Sequence, residues 1–265
     1  MSSPRTWHYG FVAEWWAEFV TEGQEIEYFQ QFVERGQPAL DAGCGTGRLL
    51  LPWLRAGLDV DGCDVSADML ALCMERARRE GFEPALFLQP LHELAPPRRY
   101  RTIVVCGVFG LGSTRAQDQE ALRRFHQYLE PGGTLVLDNA VPYANEHLWK
   151  QWTKEGRRAL PEAWTPQGQG ARRRAADGSE YELRDRTLDA DPLEQTLVLE
   201  VRIEKRRGAG SRETEEQTLT MRMYFRDELL LMLERAGFVA VDVRGDHNDE
   251  EPTADDECLV FIARA

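Results

Sequence analysis

Leu40-Asp41-Ala42-Gly43-Cys44-Gly45-Thr46-Gly47-Arg48-Leu49 is the stretch that decides the fold of this 265-residue chain. Its apolar start predicts a short strand, and the three alternating glycines predict a tight turn that opens a helix. Glycines in such a turn let the backbone approach a ligand, and the first N–H groups of the helix point at it. The stretch therefore predicts a nucleotide-type ligand at the carboxyl end of a strand.

The glycine spacing argues against two common phosphate-binding motifs. The dinucleotide fingerprint G-x-G-x-x-G requires a small sixth residue, where this chain has Arg48. The phosphate loop G-x-x-x-x-G-K-[ST] is also absent from the turn. A nicotinamide oxidoreductase is therefore the least favoured of the alternatives.

Two acids beside the turn predict the charge of the ligand. Asp41 lies two residues before the first glycine, where it would repel a pyrophosphate but attract an ammonium or sulfonium group. Asp64 ends the next predicted strand about 20 residues further on, where an acid can accept hydrogen bonds from both ribose hydroxyls. A ribose, an adenine and a cationic amino-acid tail together describe S-adenosylmethionine.

The hydrophobic pattern predicts a parallel sheet followed by a region of a different kind. Five short apolar segments alternate with helical segments, at residues 39–42, 58–63, 85–88, 102–106 and 134–137. Period-two alternation then predicts three antiparallel strands, at residues 181–188, 197–203 and 219–225. A helix over 226–236, capped by Gly237, leads to two closing strands at 238–243 and 258–263.

Charge and cysteine content favour a particular environment and class of partner. The chain has 32 Lys and Arg against 45 Asp and Glu, a net charge of −13, which disfavours nucleic acids and anionic membranes. No apolar run approaches the ~18–20 residues that span a bilayer, and the N-terminus lacks a signal-like apolar core. The five cysteines are odd in number and have no C-x-x-C spacing, which predicts reduced thiols. We therefore expect a cytoplasmic monomer or homodimer.

Three stretches together resemble the class I S-adenosylmethionine-dependent methyltransferases, in their small-molecule branch. They are residues 40–49, 60–70 and 129–137, in the order that the family has them. The resemblance implies an α/β fold, a doubly wound, Rossmann-like, seven-stranded and mostly parallel sheet with an antiparallel last strand. We expect residues 37–141 and 226–265 to form this domain, residues 1–36 a helical cap, and residues 142–225 an antiparallel β insert over the acceptor site.

The resemblance also implies where S-adenosylmethionine would bind. The glycine turn would hold the methionine part, Asp41 the amino group and Asp64 the ribose, while Gln89 would face the adenine amine in place of the family's acid. Met69 would pack on the adenine, although a plain core role is as well supported by its position on a helix. The residues implied in cofactor binding are Asp41, Gly43, Cys44, Gly45, Gly47, Asp64, Val65, Met69, Gln89, Pro90, Leu91, Cys106 and Gly107.

Methyl transfer from a sulfonium is an in-line displacement that depends mainly on proximity, alignment and exclusion of water. Tyr9, Tyr143 and His147 are candidate catalytic residues by position, and the resemblance places Tyr9 over the methyl donor. The signature of amide and base N-methyltransferases is missing after the fourth strand. A small-molecule acceptor is therefore favoured, with an amine nitrogen before a hydroxyl; a regulator or pseudoenzyme that binds S-adenosylmethionine without turnover is the alternative.

A metal is not expected at the acceptor site. Asp138-Asn139 resembles the acid and amide that hold magnesium in catechol-type enzymes, but the further acid after the fourth strand is absent here. Turn capping is the favoured role for the pair.

Overall fold

The computed structural model describes residues 6–208, 210 and 212–265. Residues 1–5 of the expected N-terminal cap, and residues 209 and 211 of the expected insert, lie outside the described residues. The helices are α1 (Gly10–Phe19), α2 (Glu25–Arg35), α3 (Leu50–Arg55), α4 (Ala67–Arg79), α5 (Arg115–Tyr128), α6 (Glu146–Gln151), α7 (Lys154–Arg158) and α8 (Arg226–Ala236). The strands are β1 (Ala39–Ala42), β2 (Val60–Asp64), β3 (Leu86–Leu88), β4 (Tyr100–Val105), β5 (Leu129–Ala140), β6 (Ala171–Arg174), β7 (Glu180–Asp191), β8 (Thr196–Arg206), β9 (Arg212–Arg222), β10 (Ala240–Gly245) and β11 (Cys258–Arg264).

Seven strands form one mostly parallel sheet in the order β10-β11-β5-β4-β1-β2-β3. β11 is antiparallel to both of its neighbours, and the remaining pairs are parallel, which confirms the predicted fold class. The chain order reverses between β1 and β4, and ligands of such sheets bind in the crevice outside the carboxyl ends at this point.

The central strands are apolar because helices cover both faces of the sheet. All four residues of β1 are buried. In β4, Ile103 and Val105 pack with α5 and α8 residues, while Val104 between them packs with residues of α2 and α3 on the other face. This alternation leaves the strand ends as the exposed part of the sheet, and the ligand-binding turn lies there.

Local capping fixes the helices that border the crevice. Ser66 Oγ accepts the N–H of Met69 at 3.2 Å, so Ser66 is the N-cap of α4. Thr114 and Gln117 form a reciprocal capping box at the start of α5. Gly237 ends α8 with φ +109°, a left-handed conformation that favours glycine.

β6–β9 form a separate antiparallel sheet. The predicted apolar face of β8 is buried at Leu197, Val201 and Ile203. One end of that face packs on α1 through Val12 and Trp15. β9 also reaches the loop after β4, where Gly112 N–H donates to Thr220 O at 2.7 Å and Leu111 pairs with Met221. The small sheet therefore contacts the crevice of the large one.

The structure corrects several predicted element boundaries. β6 was missed because its residues, Ala171–Arg174, are exposed along the whole strand and so carry no apolar alternation. The strand predicted to end at 225 ends at Arg222, because Phe225 is already the N-cap of α8. β5 begins at Leu129, before the expected strand at 134–137, and contains an irregularity where Gly132 has φ +74°. None of the described helices is both long and apolar enough to cross a bilayer.

Candidate functional site

Two adjoining cavities open outside the carboxyl ends of the central strands. The glycine-turn cavity, about 640 Å³, lies between the turn after β1 and the loop after β4. The β3 cavity, about 560 Å³, lies between the ends of β2 and β3 and the start of α5. Both are lined by His8, Gly43, Asp64 and Val108, so together they form one elongated crevice.

Most of the residues predicted to bind the cofactor line this crevice. Those at the glycine-turn cavity are Asp41, Gly43, Cys44, Gly45, Asp64, Met69, Cys106 and Gly107. Those specific to the β3 cavity are Val65, Gln89, Pro90 and Leu91. Gly47 is not in either lining. A Cβ at Gly47 would lie 2.8 Å from Cys73 Sγ, so this glycine lets the turn pack against α4.

Asp41 is a buried acid with spare hydrogen-bonding capacity. It is 2% exposed, and its Oδ2 atom has no hydrogen-bond partner among the described residues. Burial, and then the nearby charge of Asp64, raise the pKa of Asp41 to about 7, while the backbone N–H of Leu50 opposes the shift. A buried carboxylate of this kind is stabilised by a cation that enters the cavity.

Asp64 is held rigidly by the backbone. Its Oδ2 accepts the N–H of Gly45 at 2.9 Å, and its Oδ1 accepts the N–H of Ser66 at 2.8 Å. Burial raises the pKa of Asp64, and the backbone N–H groups oppose that shift. Each carboxylate oxygen has a second lone pair, so Asp64 can accept two further hydrogen bonds from the crevice.

Two glycines keep the cavity wall free of side chains. Gly45 has φ +52°, and the nearest atom to a Cβ built there is Met69 Sδ at 4.0 Å. Gly107, after β4, has φ +65°, and a Cβ there would meet no atom within 4 Å. Both positions therefore combine a left-handed backbone with open space on the side of the cavity.

The N-terminal segment covers the crevice. Ser66 Oγ donates to His8 O at 2.5 Å, and the N–H groups of Gly10 and Phe11 donate to Asp68 Oδ2 and Glu215 Oε2, each at 2.8 Å. Asp68 lies on α4 and Glu215 on β9. These contacts fasten the segment to both α4 and the small sheet.

The structure separates the three catalytic candidates. Tyr9 is in the lining of neither cavity, but its hydroxyl donates to Val65 O at 3.3 Å, and Val65 lines the β3 cavity. Burial, followed by the charges of Asp64 and Asp68, raises the pKa of Tyr9. Tyr143 is 43% exposed and packs on Phe225, and neither it nor His147, which faces Glu162 at 3.3 Å, lines a described cavity. Of the three candidates, Tyr9 is the one whose side chain is hydrogen-bonded to a residue that lines the crevice.

Sequence reasoning missed several residues of the crevice, above all Arg48 and His8. In the sequence analysis, Arg48 served only as an argument against a dinucleotide ligand. In the structure, Arg48 lines the glycine-turn cavity. Its guanidinium forms an ion pair with Glu25 and lies 3.7 Å from Cys106 Sγ. His8 lines both cavities. Its Nε2 accepts the Trp7 Nε1–H at 3.2 Å, and burial lowers the pKa of His8 to about 4.

No sequence motif identifies the polar residues that line the β3 cavity. Asp118 on α5 accepts hydrogen bonds from Ser113 Oγ at 2.5 Å and from the Tyr224 hydroxyl at 2.6 Å, and burial raises the pKa of Asp118. Gln117 Oε1 accepts the Thr114 N–H at 2.9 Å, which leaves Gln117 Nε2 to donate to His92 Nε2 at 3.1 Å. The predicted adenine contact, Gln89, already accepts the Ala95 N–H at 2.9 Å through its amide oxygen.

The Asp138-Asn139 pair does not cap a turn, which corrects the expectation from the sequence. Asp138 Oδ1 accepts the N–H of Gly107 at 2.5 Å, so it holds the loop after β4. Asn139 Nδ2 donates to Tyr224 O at 2.9 Å and holds the segment before α8. Both side chains are buried and connect separate parts of the chain.

Comparison with known proteins gives consistent matches. Residues 39–133 match a family described as a methyltransferase domain. A Geobacillus sp. (strain WCH70) protein named as a methyltransferase is 22% identical over 268 residues, 97% of this chain and 99% of that protein. The dTDP-3-amino-3,6-dideoxy-alpha-D-glucopyranose N,N-dimethyltransferase of Streptomyces fradiae is 28% identical over 149 residues, 52% of this chain and 56% of that protein. The structure of an amino pentose methyltransferase from Micromonospora echinaspora, with S-adenosylmethionine bound, has a TM-score of 0.61 at 19% identity, covering 96% of each chain.

Proposed function

We propose that this chain is a class I S-adenosylmethionine-dependent methyltransferase that methylates the nitrogen of a small-molecule amine.

The crevice has the charge and shape that the methyl donor requires. The free Oδ2 of Asp41 suits the donor's ammonium group, and the remaining lone pairs of Asp64 suit two ribose hydroxyls. The open backbone at Gly45 leaves room for the methionine part between them. When bound, S-adenosylmethionine supplies an electrophilic methyl group on a sulfonium, which the wall formed by Cys106 and Gly107 would flank.

Arg48 is our assignment for the donor's carboxylate. Among the described residues that line the two cavities, it is the one side chain with a permanent positive charge. It shares the glycine-turn cavity with Asp41, so the two side chains present opposite charges to a zwitterionic amino-acid tail. Glu25 on α2 would orient the guanidinium through its ion pair.

The observation that supports the amine proposal is that neither His8 nor Tyr9, in the described part of the N-terminal segment, is available as a base. The Nε2 lone pair of His8 is engaged by Trp7, and its pKa near 4 shows that burial disfavours taking up a proton. Tyr9 donates its proton to Val65 O and has a raised pKa. A hydroxyl acceptor would call for a general base within hydrogen-bond reach, whereas an amine needs only to arrive unprotonated.

A compact acceptor is supported by what covers the crevice. β9 pairs with the loop after β4, and the segment from His8 to Phe11 is fastened over the cofactor end. We propose that residues 142–225 roof the acceptor and that residues 1–36 cap the cofactor. The Streptomyces fradiae relative, by its name, acts on a dTDP-linked amino sugar, which makes amino sugars, free and nucleotide-linked, the first class to test.

The test is a methyl-acceptor screen with matched pairs. Each amino sugar or small amine is incubated with the enzyme and S-adenosylmethionine beside the analogue in which a hydroxyl replaces the amine, and products are identified by mass spectrometry. We expect N-methyl products, and a rate that rises with pH along the ionisation of the acceptor amine. Methylation of the hydroxyl partners at equal or higher rates would refute the amine assignment.

A further inference from the structure

We propose that Asp138, His247 and Cys258 form a binding site for one divalent transition-metal ion of the zinc type. The site lies beside the crevice, behind the wall formed by the loop after β4. Nothing in the methyl-transfer proposal requires it.

The three side chains come together from separate parts of the chain. Asp138 lies near the end of β5, Cys258 begins β11, and His247 lies in the loop between β10 and β11. One ligand atom from each lies within 4.8 Å of the others, with Asp138 buried and the other two half-buried. In the part of the chain that the structure describes, this is the one group of three such side chains at that spacing.

The donor atoms suit zinc rather than magnesium or calcium. A carboxylate oxygen, an imidazole nitrogen and a thiolate sulfur are all ligands of Zn²⁺, whose bonds of ~2.0–2.3 Å place neighbouring donors ~3–4 Å apart. Asp138 Oδ2 and His247 Nε2 are already 3.0 Å apart. Magnesium and calcium prefer oxygen ligands, so the thiol argues against them. Three protein ligands would leave a fourth position for water.

The backbone holds His247 and Cys258 in place. Asp246 Oδ1 accepts the N–H groups of Glu257 and Cys258, both at 2.8 Å, and so ties the two ends of the loop together. Asp246 and His247 have φ of +38° and +53°, the left-handed region that costs energy for residues other than glycine. The ring of His247 also packs edge-on against Phe29, with centroids 5.4 Å apart. The imidazole is thus oriented toward Asp138 by the backbone and by packing.

A hydrogen bond between His247 and Asp138 would by itself explain why these two side chains lie together. It leaves the Cys258 thiol, which has weak partners in the backbone: the carbonyl of Leu259, at 3.8 Å, and the N–H of Asn139. The loop from 246 to 257 is rich in Asp and Glu, which produces a negative potential that favours a dication. A bound divalent ion would be coordinated by the ligand atoms of all three side chains and would offset the negative charge of the loop.

The ion would act on the crevice through Asp138. The other oxygen of Asp138 accepts the N–H of Gly107, which lines the glycine-turn cavity. Fixing Asp138 by coordination would therefore fix the peptide of Gly107 in its left-handed conformation. We infer a structural ion that stiffens one wall of the active site, with no part in the chemical step.

The test is a Co²⁺ titration of the full-length, metal-free protein, followed by absorbance. A thiolate ligand gives Co²⁺ a near-ultraviolet charge-transfer band, which we expect to saturate at one equivalent and to disappear when Zn²⁺ is added. Cys258→Ser and His247→Gln should each lose the band or weaken Co²⁺ binding at least tenfold. Cys73→Ala, at a fully buried cysteine on α4 that is not one of the three proposed ligands, is the matched control and should keep it.

The absence of a band in the wild-type protein, or its persistence in Cys258→Ser, would overturn the proposal. Circular dichroism and binding of S-adenosylhomocysteine check that each variant is folded. Because the readout is metal binding, the result is independent of whether the acceptor is an amine.

Discussion

The affinity of the crevice for the cofactor should depend on pH through Asp41. Its carboxyl must be ionised to pair with an ammonium group, yet in the free protein its pKa is about 7. Binding of the cation stabilises the ionised form, so affinity should fall as pH drops below 7. For one group of this pKa, the apparent Kd is multiplied by 1 + 10^(pKa − pH), which is about 2 at pH 7 and about 33 at pH 5.5. Affinity should therefore fall about 16-fold between these two values.

Isothermal titration calorimetry with S-adenosylhomocysteine measures this directly. The α-amino group of the ligand has an ordinary pKa of about 8, so it stays largely protonated from pH 5.5 to 7. Repeating the titration in buffers of different ionisation enthalpy counts the protons released. We expect close to one proton per ligand at pH 5.5 and about half at pH 7.

Asp41→Asn is the matched control, because it keeps the size of the side chain and removes the ionisation. This variant should bind more weakly, and its affinity should be nearly independent of pH over the same range. An equal Kd for the wild type at pH 5.5 and 7, without proton release, would refute the pairing of Asp41 with the ammonium group.

Three further outcomes follow from the same site. Because the folded-state pKa of Asp41 is raised from 3.8 to about 7, its ionisation should destabilise the ligand-free protein by about 4 kcal/mol once the pH exceeds 7. In urea unfolding, Asp41→Asn should therefore be more stable than the wild type by up to that amount at pH 8, and the difference should vanish near pH 4. Equal stability of the two proteins at pH 8 would contradict the burial argument. Arg48→Met should weaken S-adenosylhomocysteine binding by about 1.5–3 kcal/mol and leave binding of the decarboxylated analogue unchanged, whereas Arg55→Met, at an exposed ion pair, should affect neither; an equal loss for both ligands would remove Arg48 from the carboxylate. Asp64→Ala should weaken cofactor binding by about 1–3 kcal/mol, and unchanged affinity would mean that it does not hold the ribose.

The large sheet could be predicted from the sequence because local residue patterns mark its strands. The turn from Gly43 to Gly47 and the acid Asp64 mark the ends of β1 and β2, and Gly237 marks the end of α8. β6 had no such signal, since an edge strand of arginines exposed on both faces shows no apolar period. Its strand conformation comes from pairing with β7, which is a tertiary contact.

The same distinction between local sequence signals and tertiary contacts applies to the residues of the candidate site. Residues within or next to a motif, such as Asp41 and Met69, were found because the turn fixes their position. His8 and Asp118 reach the crevice through the docking of the N-terminal segment and of α5, which no local pattern encodes. Tyr143 and His147 were chosen by their place after β5, but both side chains are exposed and neither lines the two cavities.

The most direct test of the whole account is a crystal structure with S-adenosylhomocysteine. We expect the ligand's amino nitrogen to lie within hydrogen-bond distance of Asp41 Oδ2, its carboxylate at Arg48, and its ribose hydroxyls at Asp64. A ligand whose carboxylate faces Asp41, or one bound outside this crevice, would contradict it.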